Sequence, residues 1–72
     1  MNTNILEFVT FCVGNLSRHL GLSSCDVYER LKTSGILNDY IIASYDVLHT
    51  FSKQYLMEDL VEYMKEKGVL PL

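Results

Sequence analysis

Asp46 and His49 are the residues of this 72-residue chain best suited to chemistry, because only three positions separate them. Side chains at that spacing are neighbours on a helix, and a histidine oriented by a carboxylate can act as a general acid or base. However, no nucleophile, glycine-rich loop or metal-ligand set accompanies the pair in the sequence. A helical domain of this size also leaves little room for a substrate cleft. We therefore expect no enzyme, and we keep catalysis by Asp46 and His49 as the third of three hypotheses.

The simpler interpretation of this stretch is structural. A histidine at the end of a helix can bond to a neighbouring carbonyl or tyrosine, and Thr50 can bond to local backbone. A role for Asp46, His49 and Thr50 in contacting a partner protein stays open beside it.

Cys12 and Cys25 are the remaining candidates for chemistry. They form no C-x-x-C pair, and no histidine stands at ligand spacing from either, which argues against a zinc site. A disulfide would need their Cα atoms within about 7 Å. We expect two reduced thiols, buried or half-buried, and no metal or cofactor.

The charge of the chain narrows the classes of partner. A net charge of −3 argues against general affinity for nucleic acids or anionic membranes, which both need clustered Lys and Arg. No apolar run approaches the roughly 18–20 residues of a membrane span. The first residues carry no Lys or Arg before Ile5 and no cleavage site of the signal-peptide type. We therefore predict a cytoplasmic protein.

Residues 40–50 form the longest dense apolar run, and the rest of the chain is organised around them. On a helical wheel Ile41, Tyr45 and Leu48 fall on one side, and only Ala43, Asp46 and Thr50 are left for water. A helix that is apolar nearly all round is buried. A strand is the competing prediction, because Tyr, Ile and Val favour pleated surfaces, but adjacent apolar pairs spoil the alternation.

Three further helices are predicted, at about Asn4–Leu20, Ser24–Ser34 and Tyr55–Lys67. Apolar residues recur in them at helical spacing, and Gly21, Gly35 and Gly68 stand where helices commonly stop. Ser23 with Asp26 can cap the second helix, and Asn38 can cap the central one. Residues 51–54 are either a turn or the first turn of the last helix. The predicted fold is all-α, a compact bundle of four short helices in a single domain, residues 1–72.

The first two helices and Gly21 between them resemble a helix-turn-helix, with Val27 and Leu31 supplying its apolar spacing. An ordinary αα-corner needs the same residues. The second helix begins with Ser24, Cys25 and Asp26, where readers of base edges usually place Gln, Asn, Arg or Lys. A helix-turn-helix DNA-binding regulator is therefore the alternative function, and nucleic-acid binding is not the leading one.

Two features could contact a protein partner. Phe11 falls on the polar side of the first helix beside Gly14, which would allow close approach; a single exposed Phe equally needs no explanation. The last helix carries an acidic stripe that could dock a basic partner or simply be solvated. Its members are Glu58, Asp59, Glu62 and Glu66. A homodimer is also left open by so small a chain.

Several segments resemble a known family. They are Phe11-Cys12, Tyr40-Ile41, the Tyr-Asp-Val-Leu-His-Thr run at 45–50, Tyr55, and residues 59–63. Together they are similar to the short bacterial family called domain of unknown function 3791. Its members often carry a Gln-Gly type turn after the Leu-His-Thr core, where this chain has Phe51-Ser52.

The resemblance implies no established activity. It implies a gene neighbourhood in which small proteins resembling ADP-ribosyltransferases are encoded nearby, an arrangement typical of a toxin and its neutralising partner. The leading hypothesis is thus a protein–protein interaction module, an antitoxin-like partner of an adjacent gene product.

Overall fold

The regular elements of residues 2–70, the part of the chain that this computed structural model describes, are helical throughout. Helix α1 spans Thr3–Leu20 and α2 spans Ser24–Ser34. A π-helical segment, Leu37–Ile42, leads to the short helix α3, Tyr45–Leu48. Helix α4 spans Lys53–Glu66. The predicted all-α class is confirmed, with the central helix divided in two.

Short polar side chains fix where the three long helices begin. Asn2, Ser23 and Ser52 each stand just before a helix and accept the backbone N–H three residues on, at 2.8, 3.1 and 3.2 Å. Each bond satisfies a donor that the first helical turn leaves free, a contribution of about 1 kcal/mol. The predicted Ser23 cap is confirmed, and Ser52 shows that Lys53 opens α4, two residues before the predicted start.

Gly21 ends α1 as predicted. Its φ of 69° lies in the left-handed region that other residues avoid. In this conformation Gly21 N and Leu22 N both donate to Ser17 O, at 3.0 and 3.2 Å. Leu22 thereby folds back against the core.

The single helix predicted for residues 40–50 is wrong. The wider turns of Leu37–Ile42 end at Ala43, and Ser44 (φ −106°, ψ 20°) leaves the helical region before α3 begins. The run is rich in β-branched and aromatic residues, which lose side-chain freedom in a helix, and Ser favours helix ends. Asn38 lies exposed inside the π-helical segment and caps nothing.

The break also changes which residues of the run face water. Val47 is 58% exposed and His49 is exposed, although both were expected to avoid solvent. Ile41 and Leu48 are buried as predicted.

One hydrophobic cluster joins all the elements. Leu16, Leu48 and Leu60 belong to it, as the helical spacing predicted. Its other buried members are Val9, Cys12, Val13, Val27, Leu31, Ile36, Leu37, Ile41, Leu56, Met57 and Met64.

Arg30 ties α2 to the end of the described chain. Its Nε donates to Asp26 Oδ1 at 2.9 Å, and its Nη1 donates to the carbonyl of Val69 at 2.5 Å. The Arg30 guanidinium thus stabilises the fold by joining α2 to the residues after α4.

Candidate functional site

His49 is bonded to backbone and not to Asp46. Its Nδ1 lies 2.7 Å from the carbonyl oxygen of Tyr45, and because a carbonyl can only accept, Nδ1 carries the proton. The imidazole stacks on the Tyr45 ring, with centroids 4.6 Å apart and planes 15° apart. Within residues 2–70 the ion pair that forms is Arg30 with Asp26. Asp46 therefore does not orient the imidazole as a catalytic carboxylate would.

The stack continues across to α1. Phe8 meets the Tyr45 ring edge-to-face at 5.4 Å, and Phe11 lies 6.5 Å beyond Phe8. We call Phe11, Phe8, Tyr45 and His49 the aromatic row. Phe8 and Tyr45 are half-buried, His49 is exposed and Phe11 is 41% exposed. The structure thus brings two predicted contact residues, 38 positions apart in the sequence, to one surface.

Phe8 and Tyr45 join this surface although neither was a candidate contact residue. Phe8 stands one turn before Phe11, a spacing that places both rings on neighbouring positions of α1. Tyr45 stands one turn before His49. Both signals were present in the sequence, but the contact that unites the two pairs is tertiary.

Thr50 and Asp46 are exposed at the end of α3. Thr50 Oγ1 donates to the carbonyl of Val47 at 2.6 Å, the local backbone bond that was predicted for it. Both lie close in sequence to His49, so they stay candidate partner contacts.

Asp59 stands apart from the other acids of α4. Its Oδ2 accepts the hydroxyl of Tyr40 at 2.5 Å, and the Tyr40 ring packs edge-to-face on Tyr63 with centroids 4.7 Å apart. Burial raises the pKa of Tyr40 to about 12, and the hydrogen bond and negative charge of Asp59 add to the rise. Asp59 is half-buried and holds the π-helical segment against α4.

Glu58, Glu62 and Glu66 are exposed and form what remains of the acidic stripe. They carry no described ion pair within residues 2–70. These three carboxylates are accessible to a basic partner, and water can hydrate them equally well without one.

A second, polar surface adjoins α1 where the start of α4 meets it. A cavity of about 250 Å³ is lined by Asn15, Arg18, His19, Lys53 and Met57. We call it the basic pocket. Phe11 and Arg18 lie on the same side of α1, two turns apart.

A third depression lies between α1 and α2. It measures about 280 Å³ and is mostly apolar. Leu6, Val9, Thr10, Val13, Gly14, Ser24 and Tyr28 line it. Gly14 thus lines this depression, and Phe11, one turn before it on α1, belongs to the aromatic row. A joint contact face of Phe11 and Gly14 stays a prediction.

The two thiols differ in environment. Cys12 is fully buried, and burial raises its pKa to about 12, so its thiol is inert. Cys25 is exposed, contrary to the expectation of a buried or half-buried thiol, and neither forms a disulfide. Residues 2–70 contain no group of three or more His, Cys, Asp or Glu side chains placed to hold a metal ion.

The predicted αα-corner is formed by α1, Gly21 and α2. On α2, Arg30 is occupied by Asp26 and Val69, while Lys32 is exposed. The face of α2 that would have to meet phosphates therefore offers little free positive charge.

The family described as Protein of unknown function (DUF3791) matches residues 7–67, which include all five helical elements almost entirely. Comparison with curated proteins found no match, and comparison with solved structures found none. Among the described helices, none is both long and apolar enough to cross a membrane.

Proposed function

The chain belongs to the DUF3791 family, and from that premise we propose that it is a protein–protein interaction module. Its aromatic row contacts a protein partner. The partner is the product of an adjacent gene and resembles an ADP-ribosyltransferase, and the chain neutralises it in the manner of an antitoxin. The protein works in the cytoplasm, and its action is binding without catalysis.

The aromatic row is the observation that carries the proposal. Four rings from two separate elements meet at one surface, and the outermost, Phe11, remains 41% exposed. Aromatic residues are enriched in protein interfaces, where rigid rings bury much area at low entropic cost. The bonds of His49 and Thr50 to neighbouring carbonyls hold these side chains in place, as suits a preformed contact surface.

The identity of the partner rests on family resemblance. Gene neighbourhood with ADP-ribosyltransferase-like proteins is what the resemblance implies, and a compact chain of net charge −3 without a catalytic constellation fits a neutralising role. Asp46, Glu58 and Glu62 are exposed and then serve as polar contacts, since exposed charges chiefly affect the association rate.

Co-expression with the neighbouring gene products, followed by affinity purification, tests this function. We expect a stable complex, and we expect Phe11→Ala to weaken it by about tenfold or more, the effect of losing an interface anchor. Leu6→Ala is the matched control, since Leu6 is 55% exposed on another side of the same helix. Equal binding by wild type and Phe11→Ala would contradict the aromatic row as contact surface.

A growth assay tests the neutralising role separately. If the neighbouring product is toxic when expressed alone, co-expression of the wild-type chain should restore growth and Phe11→Ala should restore less. A complex that forms without protecting the cells would leave an interaction module but refute the antitoxin role.

A helix-turn-helix regulator is the second candidate, because the αα-corner is present. The scarcity of free cations on α2 speaks against it. We expect no binding of duplex DNA below micromolar concentrations at physiological salt. A mobility shift at nanomolar protein that weakens steeply with salt would replace the interaction module by this regulator.

A further inference from the structure

The geometry points to the basic pocket as the site that takes an acidic segment of the protein partner, continuous with the aromatic row. This inference rests on the proposed function, because it adds the chemistry of the partner to the surface already assigned. Arg18 and Lys53 supply two cationic side chains, on different helices, to one cavity of about 250 Å³.

Arg18 is positioned by a buried neighbour. Asn15 is 8% exposed; its Nδ2 donates to the carbonyl of Phe11 at 2.8 Å, and its Oδ1 accepts from Arg18 Nη2 at 3.1 Å. Arg18 Nη1 lies 3.9 Å from the place where a side chain on Gly14 would begin, so the guanidinium extends back along α1 by one turn. Asn15 thus bonds both to the backbone of Phe11, which belongs to the aromatic row, and to the side chain of Arg18, which lines the basic pocket.

The charges of the pocket are not neutralised within the described chain. Arg18, His19 and Lys53 have no carboxylate within 4.0 Å among residues 2–70, where the ion pair present belongs to Arg30. Ser52 caps α4 just before Lys53, and the first turn of α4 carries no acid. The positive end of the α4 dipole therefore adds to the cations of the pocket.

The volume of the cavity and the net charge of the chain together indicate which class of anion binds there. The cavity lies below the 300–1,000 Å³ or so in which proteins enclose small ligands. A chain of net charge −3 repels nucleic acids and anionic membranes at long range, and phosphate backbones are held by many more cations. A peptide segment with a few Asp or Glu beside an apolar residue matches two cations next to exposed rings. Arg and aromatic side chains together are the usual anchors of such interfaces.

A peptide titration followed by NMR of the ¹⁵N-labelled protein tests the inference without the natural partner. The probe is a short synthetic peptide with several Glu residues around a central Phe-Leu pair, and its control has Lys in place of every Glu. We expect the acidic probe to shift the amides of Phe11, Arg18 and Lys53 saturably, more strongly at low salt. The Lys peptide should leave these amides unmoved.

Charge reversal localises the binding. Arg18→Glu with Lys53→Glu should weaken the acidic probe by about tenfold or more, and the milder pair Arg18→Gln with Lys53→Gln should weaken it less. Lys32→Glu with Lys65→Glu is the control for net charge: it reverses two cations, on α2 and α4, that do not line the pocket. Circular dichroism checks that every variant is folded.

Several results would overturn the inference. They are no saturable shift, equal weakening in the two charge-reversed variants, or tighter binding of a short DNA duplex or of phosphatidylserine vesicles at the same amides. The co-expressed neighbour separates this failure from failure of the proposed function. If it binds wild type and the Arg18/Lys53 variant equally, the interaction module stands and the acidic-segment site falls. If no neighbour binds at all, the peptide titration still decides the site by itself.

Discussion

Tyr40 and Tyr45 are five residues apart, yet the structure uses them in opposite ways. The hydroxyl of Tyr40 is bonded to Asp59, nineteen positions away, and its ring packs on Tyr63. The ring of Tyr45 lies between Phe8 and His49 in a partly exposed row, where the described contacts of the side chain are aromatic stacking. Tyr40 fastens two elements of the fold to each other, whereas Tyr45 helps to shape a surface. The comparison shows that residue type alone does not separate a structural aromatic from a contact aromatic.

The largest expected effect concerns the core beneath both tyrosines. Leu48→Ala should destabilise the protein by about 2–5 kcal/mol, since Leu48 is 1% exposed and its truncation leaves a cavity. So small a domain has little stability to spare, and we expect substantial unfolding at 37 °C. Leu6→Ala, at a residue 55% exposed, is the matched control and should change the melting temperature little. An unchanged melting temperature in Leu48→Ala would show that α3 is not held by the core.

Removing one phenol hydroxyl at a time tests the comparison directly. Tyr40→Phe should destabilise by about 1 kcal/mol, because Asp59 loses its donor and is half-buried. Tyr45→Phe should stay within about 0.5 kcal/mol of wild type, as expected for a surface change that breaks no described bond. Urea denaturation of both variants measures the difference. Equal losses would erase the distinction between the two tyrosines.

Alkaline pH should sharpen the same contrast. The pKa of folded Tyr40, about 12, exceeds the value of about 10 in an unfolded chain. Below about pH 10 the Tyr40 hydroxyl keeps its proton in both the folded and the unfolded chain, so Tyr40 makes its full contribution to stability. As pH rises from about 10 towards 12, the unfolded state loses its proton first, so the free energy of unfolding falls. Tyr40→Phe should show a shallower fall than Tyr45→Phe, and parallel curves for the two would show that folding does not raise the pKa of Tyr40.

A small effect on stability is expected at His49. Because the imidazole is exposed, water can replace its bond to the carbonyl of Tyr45. His49→Gln and His49→Ala should each cost less than about 1 kcal/mol, the range for an exposed hydrogen bond. His49→Ala should weaken the free energy of partner binding by more than it lowers the free energy of unfolding, because the aromatic row loses its last ring. If any turnover were found in the wild type and both variants abolished it while remaining folded, His49 would be catalytic and the interaction module would be wrong.

Local features of the fold could be predicted from the sequence, and non-local ones could not. Gly21 and Ser23 mark helix ends through bonds within a few residues, so their types and spacing suffice. The break at Ser44 has only a weak local signal, a Ser within a run of β-branched and aromatic residues, and the helical spacing of the apolar residues around it masked that signal.

The candidate site divides in the same way. Phe11 and His49 were each candidates by themselves, but their common surface exists only because Phe8 meets Tyr45 across two elements. Asp59 was expected in an open acidic stripe. Its partner Tyr40 lies in another element, so the sequence could not show that the carboxylate is engaged.

The wide turns of Leu37–Ile42 bear on how the length of this segment can change without loss of the fold. A π-helical turn holds one residue more than an α-helical turn, so it behaves like a single-residue insertion absorbed within a helix. Removing the exposed Asn38 could tighten the segment to ordinary helical winding while Ile41 still faces the interior. Relatives one residue shorter at this point could therefore keep the same core and the same outer surfaces, and an alignment gap placed there would mark a change of winding and not a lost contact.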